Sequence, residues 1–326
     1  MTMTTTTEPL PNVNISPETM AQADPRLVHL VKLRNSAQFF YDLQKFRMST
    51  GHRARVDSDR GDAETRPALD EDDQAFLGGM EDALEQLEKK ALSHVSKRLK
   101  GLVIYDDWLK HQRGVGPTMA AVLLSSFRIE IQDCVSQMWS YSGLAVGPDG
   151  RAQRRVKGQK AGYNPWLKAK LVKVLADSMI KAYSIDEEGQ YIVKRGDKIL
   201  FRATDPNSPF PWRSYYDNRK NYRKSQRVKC MLCDGHGHLG KVDGKLMGVP
   251  ANGKTEVCSN CHGEGVGPWG RSDAHRDMDC RRYMVKTFLI ELHKRWRESL
   301  DLPVRPSYHE EKLGHVHGGT KRYGSP

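Results

Sequence analysis

The feature that most narrows what this chain can fold into is a repeated pattern, C-x-x-C-x-G-x-G, present as "CMLCDGHG" from Cys230 and again as "CSNCHGEG" from Cys258. A C-x-x-C pair puts two thiolates on one turn, where both reach the same metal ion, and the glycines let backbone N–H groups fold back towards sulfur. Cys230, Cys233, Cys258 and Cys261 therefore make a full tetrahedral ligand set, which predicts a structural zinc site with no open position for substrate. The 24-residue spacer "DGHGHLGKVDGKLMGVPANGKTEV" reads as a hairpin. His236, His238 and His262 stand near enough to substitute as ligands, and a redox dithiol is the other reading of the same spacing. Cys134 and Cys280 stand alone in helix-like sequence, and paired cysteines of this kind suit metal binding in a reducing compartment.

No run approaches the about 18 apolar residues of a membrane span. The start "MTMTTTTEPLPNVN" lacks the basic and apolar regions of a signal peptide, so a cytoplasmic location and no membrane partner are expected. The chain has 326 residues, a net charge of +12 and 38% apolar residues. Residues 1–100 carry 14 Lys/Arg against 16 Asp/Glu, so all of the positive charge belongs to residues 101–326. That bias excludes an evenly charged surface and favours a polyanionic partner for the later part of the chain.

Residues 1–24 read as disordered, being rich in Thr, Pro and Asn without a period. Residues 25–100 read as a helical hairpin or coiled coil with a charged linker at 50–72. One helix carries Leu27, Leu30, Leu33, Phe40, Leu43 and Phe46, and the other Phe76, Leu77, Met80, Leu84, Leu87, Ala91, Val95 and Leu99. These helices are the expected means of homo-oligomerisation. The run Asp70–Asp73 opens the second helix, where carboxylates favour the dipole, and reads as a cap. Residues 101–226 form a second, helical domain that includes a β-hairpin at 190–203, "QYIVKRGDKILFRA". The cysteine module occupies 227–268, a closing helix with Met284, Phe288, Leu292 and Trp296 occupies 269–303, and residues 304–326 form a loose tail. The expected fold class is thus mainly α, with an inserted zinc-binding β-hairpin module.

Two segments point to a phosphate backbone. "GVGPTMAAVLL" sets Gly114, Gly116 and Thr118 around Pro117 at the start of an apolar helix, so that backbone N–H groups are presented as in a helix-hairpin-helix motif. A tight interhelical turn without a ligand is the other reading. Beyond it, Arg151, Arg154, Arg155, Lys157, Lys160, Lys168, Lys170 and Lys173 occur with no acidic residue between the first and the last. A solvated face mixes signs, so an all-positive run predicts nucleic-acid contact, with Tyr163 and Trp166 as interleaved aromatics.

The stretches "GVGPTMAAVLLSSF", "WSYSGLAVGPDG", "KAGYNPWLKAKLVKVL", "SPFPWRSYYDNRK" and "RRYMVKTFLIELHKRW", in this order, resemble the C-terminal transposase domain of the IS110/IS116/IS902 insertion-sequence recombinases. The resemblance covers about residues 75–225 and 270–303 and implies a helix-hairpin-helix recombinase-like domain that holds DNA, and in some members a guide RNA. The cysteine module resembles the repeat of DnaJ-type zinc domains at half the usual repeat number. Two departures bear on activity. The family's RuvC-like domain with its acidic residues has no counterpart in residues 1–100, and residues 143–177, where the family keeps its serine nucleophile, contain no Ser or Thr. Tyr163 is the only hydroxyl in that loop and the one candidate nucleophile, and magnesium enters only if the chain is catalytic.

The leading expectation is a DNA-binding protein related to these transposases, encoded by a phage or mobile element or nucleoid-associated, without complete catalytic machinery. One alternative is an active site-specific recombinase using Tyr163 or a RuvC-like partner in trans. Another is a zinc-module protein-interaction factor.

Overall fold

The computed structural model describes residues 25–54, 70–147, 152–205, 208, 210–242, 245–252 and 255–305. The expected disordered start, most of the charged linker, Arg151 and nearly all of the tail lie outside these residues. The fold is mainly α-helical, with a small module around the cysteines, and it divides into two units.

The first unit comprises the residues up to Lys110 together with Gly116–Arg128. Its framework is an antiparallel pair, α1 (Pro25–Ala54) and α2 (Glu71–Leu99). His29 Nε2 meets the Arg98 carbonyl at 2.8 Å at one end, and Gln44 and Arg47 both donate to Glu88, at 3.2 and 2.6 Å, further along. Leu30, Leu33, Phe40 and Leu43 are buried in the seam with Ala91, Val95 and Leu99. Asp70 Oδ1 accepts the Asp73 N–H at 2.7 Å, so the acidic run caps α2 and faces the positive end of its dipole. After α3 (Val103–Asp107) and a 3₁₀ turn (Leu109–His111), α4 (Pro117–Ser126) packs on α1 and α2. It is buried from Met119 to Ser126, which accounts for an apolar sequence with no polar face. Half-way along the pair the expected stripes part from what is buried. Phe46 is 65% exposed and Phe76 66%, and Met80 and Leu87 are exposed as well.

The second unit comprises His111–Val115 and the chain from Ile129. It begins with α5 (Val135–Tyr141) and continues through a nearly unbroken helical stretch of α6 (Pro165–Ala169), a π-helical turn (Lys170–Leu175) and α7 (Ala176–Lys181). Leu167, Leu171, Leu175 and Met179 point from this stretch into the core and are fully buried. A small antiparallel sheet follows, β1 (Ser184–Ile185), β2 (Tyr191–Arg195) and β3 (Lys198–Arg202), in that order across the sheet, the last two forming a hairpin within 190–203. Next come α8 (Arg213–Ser225), the cysteine module and α9 (Asp273–Glu298). Met284, Phe288, Leu292 and Trp296 are all buried along α9, and Phe288 meets the Trp212 ring edge-on at 5.1 Å. Buried Arg297 is satisfied by the carbonyls of Ile129 and Pro303, each at 2.7 Å.

Gly114 has φ +84°, and a Cβ there would stand 2.6 Å from the Met179 Cα. Its glycine is therefore required by close backbone packing on α7 as well as by conformation.

Candidate metal centre and cationic surface

The cysteine module is built from two copies of one turn. β4 (Val228–Lys229) leads into the first knuckle and pairs with β8 (Val266–Gly267), which follows the second. Between them β5 (His238–Val242) pairs with β6 (Lys245–Val249) and with β7 (Glu256–Val257), the strand entering the second knuckle. The two knuckles hold one another reciprocally: the Cys230 N–H donates to the Gly265 carbonyl at 2.8 Å and the Cys258 N–H to the Gly237 carbonyl at 2.9 Å. Gly237 and Gly265 have φ +76° and +71°, and a Cβ on either would strike the backbone carbonyl of Gly263 or Gly235 across the module. The repeated glycines are thus what allows the two turns to meet.

This arrangement buries all four thiols and brings them within 4.8 Å of one another. Cys230 Sγ lies 3.8 Å from Cys258 Sγ, and Cys233 Sγ 3.6 Å from Cys261 Sγ. A metal–sulfur bond of about 2.3 Å in a tetrahedron requires sulfur–sulfur edges of about 3.8 Å, so the cluster fits a metal ion such as zinc. His236, His238 and His262 are outside the group that could share this ion. The Gly237 N–H donates to Cys233 Sγ at 3.2 Å, and the Asn260 amide donates to Cys230 Sγ at 3.4 Å. Burial pushes the thiols of Cys233, Cys258 and Cys261 up. Burial also opposes ionisation of Cys230, but hydrogen bonds from Asn260 and from the backbone of Cys233 and Leu232 bring it down to about 6. A bound cation would hold the whole set as thiolates.

Asn260 also joins this centre to the start of α9. It donates to the Gly270 carbonyl at 3.1 Å, and its Oδ1 accepts from Arg276 Nη1 at 3.1 Å. Arg276 is buried, bonds the Trp269 carbonyl at 3.3 Å and pairs with Asp273 at 3.0 Å. The Arg223 guanidinium lies over the Trp269 ring, 3.7 Å from its centroid.

The basic run lies in the same unit. Arg154, Arg155, Lys157 and Lys160 are exposed on an irregular loop that starts at Ala152, bridged to Val146, and ends where Asn164 caps α6. Half-buried Lys168 donates to the Gln153 carbonyl at 2.5 Å and sits 4.7 Å from the centroid of the Tyr163 ring, while Lys170 stands 5.6 Å from that of Trp166. Burial lowers the pKa of Lys168, and so do Arg282 and Arg154. His275 is likewise lowered by burial, then by Arg282, with Arg271 and Arg154 adding to it against Asp279. Lys286, 4.1 Å from the centroid of Trp139, is lowered by burial and by Arg219.

The loop and α9 thus gather one cationic surface. Carboxylates nearby are already taken: Asp279 accepts from Arg219 and Arg223 at 3.1 and 2.9 Å, and Asp277 from Arg281 at 2.7 Å. Arg282 has no such partner among the described residues. Sequence reasoning missed His275, Arg282 and Lys286. Helical spacing puts 275, 282 and 286 on one face of α9, but Asp279 stands among them, so the sequence there shows a face of mixed sign.

Other sequence candidates are placed differently. Tyr163 packs its ring on Gly143, and no hydrogen bond engages its hydroxyl among the described residues. Ser142 is buried and bonds the Met138 carbonyl at 2.7 Å. Thr118 shares its hydroxyl with Tyr41, and Gly116 precedes α4 with open space beside it. Gly114 faces the α7 backbone, as described above. Among the described residues the four cysteines are the only group of three or more His, Cys, Asp or Glu side chains close enough to share a metal ion, so no carboxylate cluster for magnesium is present there. No described helix is long and apolar enough to cross a membrane. No protein-family model, curated protein or solved structure matches the chain.

Proposed function

We propose that the second unit grips the phosphate backbone of nucleic acid, DNA in the first place, and that structural zinc in the four-cysteine site braces the gripping surface. The carrying observation is the gathering of Lys168, His275 and Arg282 around Arg154: burial first, and then Arg154, lower the proton affinity of all three, Arg282 lowers that of Lys168 and His275 as well, and the nearby Asp279 is already paired with Arg219 and Arg223. Like charges held together in a folded protein are relieved by a polyanion, and backbone contacts of this kind bind without reading sequence. Arg155, Lys157 and Lys160 extend the surface along the exposed loop, and Arg151 adjoins it in sequence. In the first unit, and separately from this surface, Gly116 and Thr118 would offer a phosphate the backbone N–H groups at the start of α4.

The resemblance to IS110-type transposase domains supports a role in DNA transposition or recombination, including the helix-hairpin-helix reading of the Gly-Val-Gly-Pro turn. On this reading the chain positions DNA, and any strand chemistry comes from a RuvC-like partner in trans.

Binding to a short duplex, followed by fluorescence anisotropy from 50 to 200 mM salt, tests the grip. The logarithm of affinity should fall linearly with the logarithm of salt, and Arg154→Ala or Arg282→Ala should each flatten the slope by about 1. Affinity unchanged across that range overturns the proposal.

A further inference from the structure

We infer that the hairpin unit pairs with a second copy of itself through α2, antiparallel, with Phe76 against the copy's Leu87 and Met80 against the copy's Ala83. Three features of α2 lead there. First, it carries a second apolar seam. Leu77, Leu84, Ala91 and Val95 belong to the face turned towards α1, whereas Phe76, Met80, Ala83 and Leu87 are all exposed and recur at spacings of four, three and four. That is the heptad spacing of a coiled-coil seam, and among the described residues it is left exposed.

Second, charge is segregated along the helix. Every acidic residue of α2 lies at or before Glu88 and every Lys or Arg at or after Lys89. Two copies in parallel would set every charge level with its like, whereas an antiparallel pair brings the acidic start of each helix level with Lys89 and Lys90 of the other, at the cost of setting Glu81 level with the copy's Asp82 away from the apolar seam. The apolar seam then selects the register. Phe76 opposite Leu87 and Met80 opposite Ala83 also place Asp73 opposite the copy's Lys90, within the seam itself. A shift by one heptad instead puts Met80 opposite Lys90 and Phe76 opposite His94.

Third, Gly78 and Gly79 weaken the interior of a helix although a Cβ on either would meet nothing within 4 Å among the described residues. Gly79 immediately precedes Met80, where a missing side chain lets another helix come close. The segment at 55–69, "VDSDRGDAETRPAL" after Arg55, offers no apolar stripe to cover this face in place of a copy. The occupant is therefore self-complementary, as an isologous two-fold interface requires.

The test is sedimentation equilibrium of the full chain, treated with nuclease and washed at high salt so that nucleic acid does not bridge copies. The wild-type chain should be dimeric at micromolar concentration. Leu87→Glu and Met80→Asp should each give a monomer with unchanged helical circular dichroism, because both side chains are exposed in the single copy. Asp73→Lys and Lys90→Asp should each weaken the dimer at least tenfold, and the double variant should restore it. A wild-type chain that stays monomeric, a dimer indifferent to Leu87→Glu, or a double variant no better than the singles overturns the proposal. None of these outcomes depends on whether the second unit binds DNA.

Discussion

Asn260 is buried between the metal centre and the last helix, with its amide nitrogen on Cys230 Sγ and the Gly270 carbonyl and its oxygen on Arg276. Side chains that bond a ligand sulfur set its orientation and basicity, and losing them typically costs about 10–100-fold in metal affinity. Asn260→Ala keeps all four thiols, so it should still take up zinc but release it to a competing chelator about 10–100-fold more readily. Retention equal to wild type would remove Asn260 from the centre's support. Nothing in "CSNCHGEG" marks this asparagine, since its partners lie ten and sixteen residues further on in a helix start that spacing alone does not reveal. The four cysteines were legible because a metal-ligand pattern is local and its geometry is fixed by the ion. Gly114 was legible as a tight turn, read either as presenting N–H groups to a phosphate or as a ligand-free turn between helices. That it lies against the Met179 backbone depends on a helix 65 positions away, and periodicity carries no such information.

At the scale of the element, α9 does two tasks with two faces. Met284, Phe288, Leu292 and Trp296 anchor it in the core, while His275 and Arg282 face Arg154 of the basic loop and Lys286 lies over the Trp139 ring. The apolar stripe was legible because burial selects for it at every fourth residue. The cationic stripe was hidden because its meaning depends on Arg154 and Lys168, more than a hundred residues earlier. Conversely, the α2 stripe read from the sequence merged two seams, one against α1 and one left exposed, since a helix wide in apolar residues does not say how many neighbours it has.

The cationic face gives a pH dependence. His275 titrates below its ordinary value because of burial, Arg282, Arg271 and Arg154, with Asp279 opposing them. A phosphate bound beside it would supply negative charge and raise that value, so binding takes up a proton and strengthens as pH falls. DNA affinity at fixed salt should therefore increase as pH is lowered from 7.5 through the region below about 6.5, where imidazole ordinarily titrates. His275→Gln should remove that increment, and a wild-type profile as flat as the variant's would separate His275 from the binding surface.

At the scale of the whole molecule, the metal centre belongs to the second unit alone, and the α1–α2 pair belongs to the first. The metal's structural reach runs through Asn260 and Arg276 to the N-terminal turn of α9, where Ser272 caps the helix by accepting the His275 N–H at 3.2 Å. The hairpin instead rests on its own apolar seam and on the bonds of Arg47 and Gln44 to Glu88. Without the cation, four buried thiols lose the charge that holds them together, and a small module with a five-residue core cluster of Cys230, Cys233, Leu239, Cys258 and Cys261 has little else to keep it folded. Chelation followed by hydrogen exchange should accordingly raise amide exchange across residues 228–276, including the first turn of α9, and lower DNA affinity in step. Exchange in α1 and α2 should stay as it was, and so should self-association measured on the same sample. Faster exchange throughout α1 and α2 would mean that the hairpin depends on the metal as well, and unchanged exchange at 270–276 would break the link from the cysteines to the cationic face.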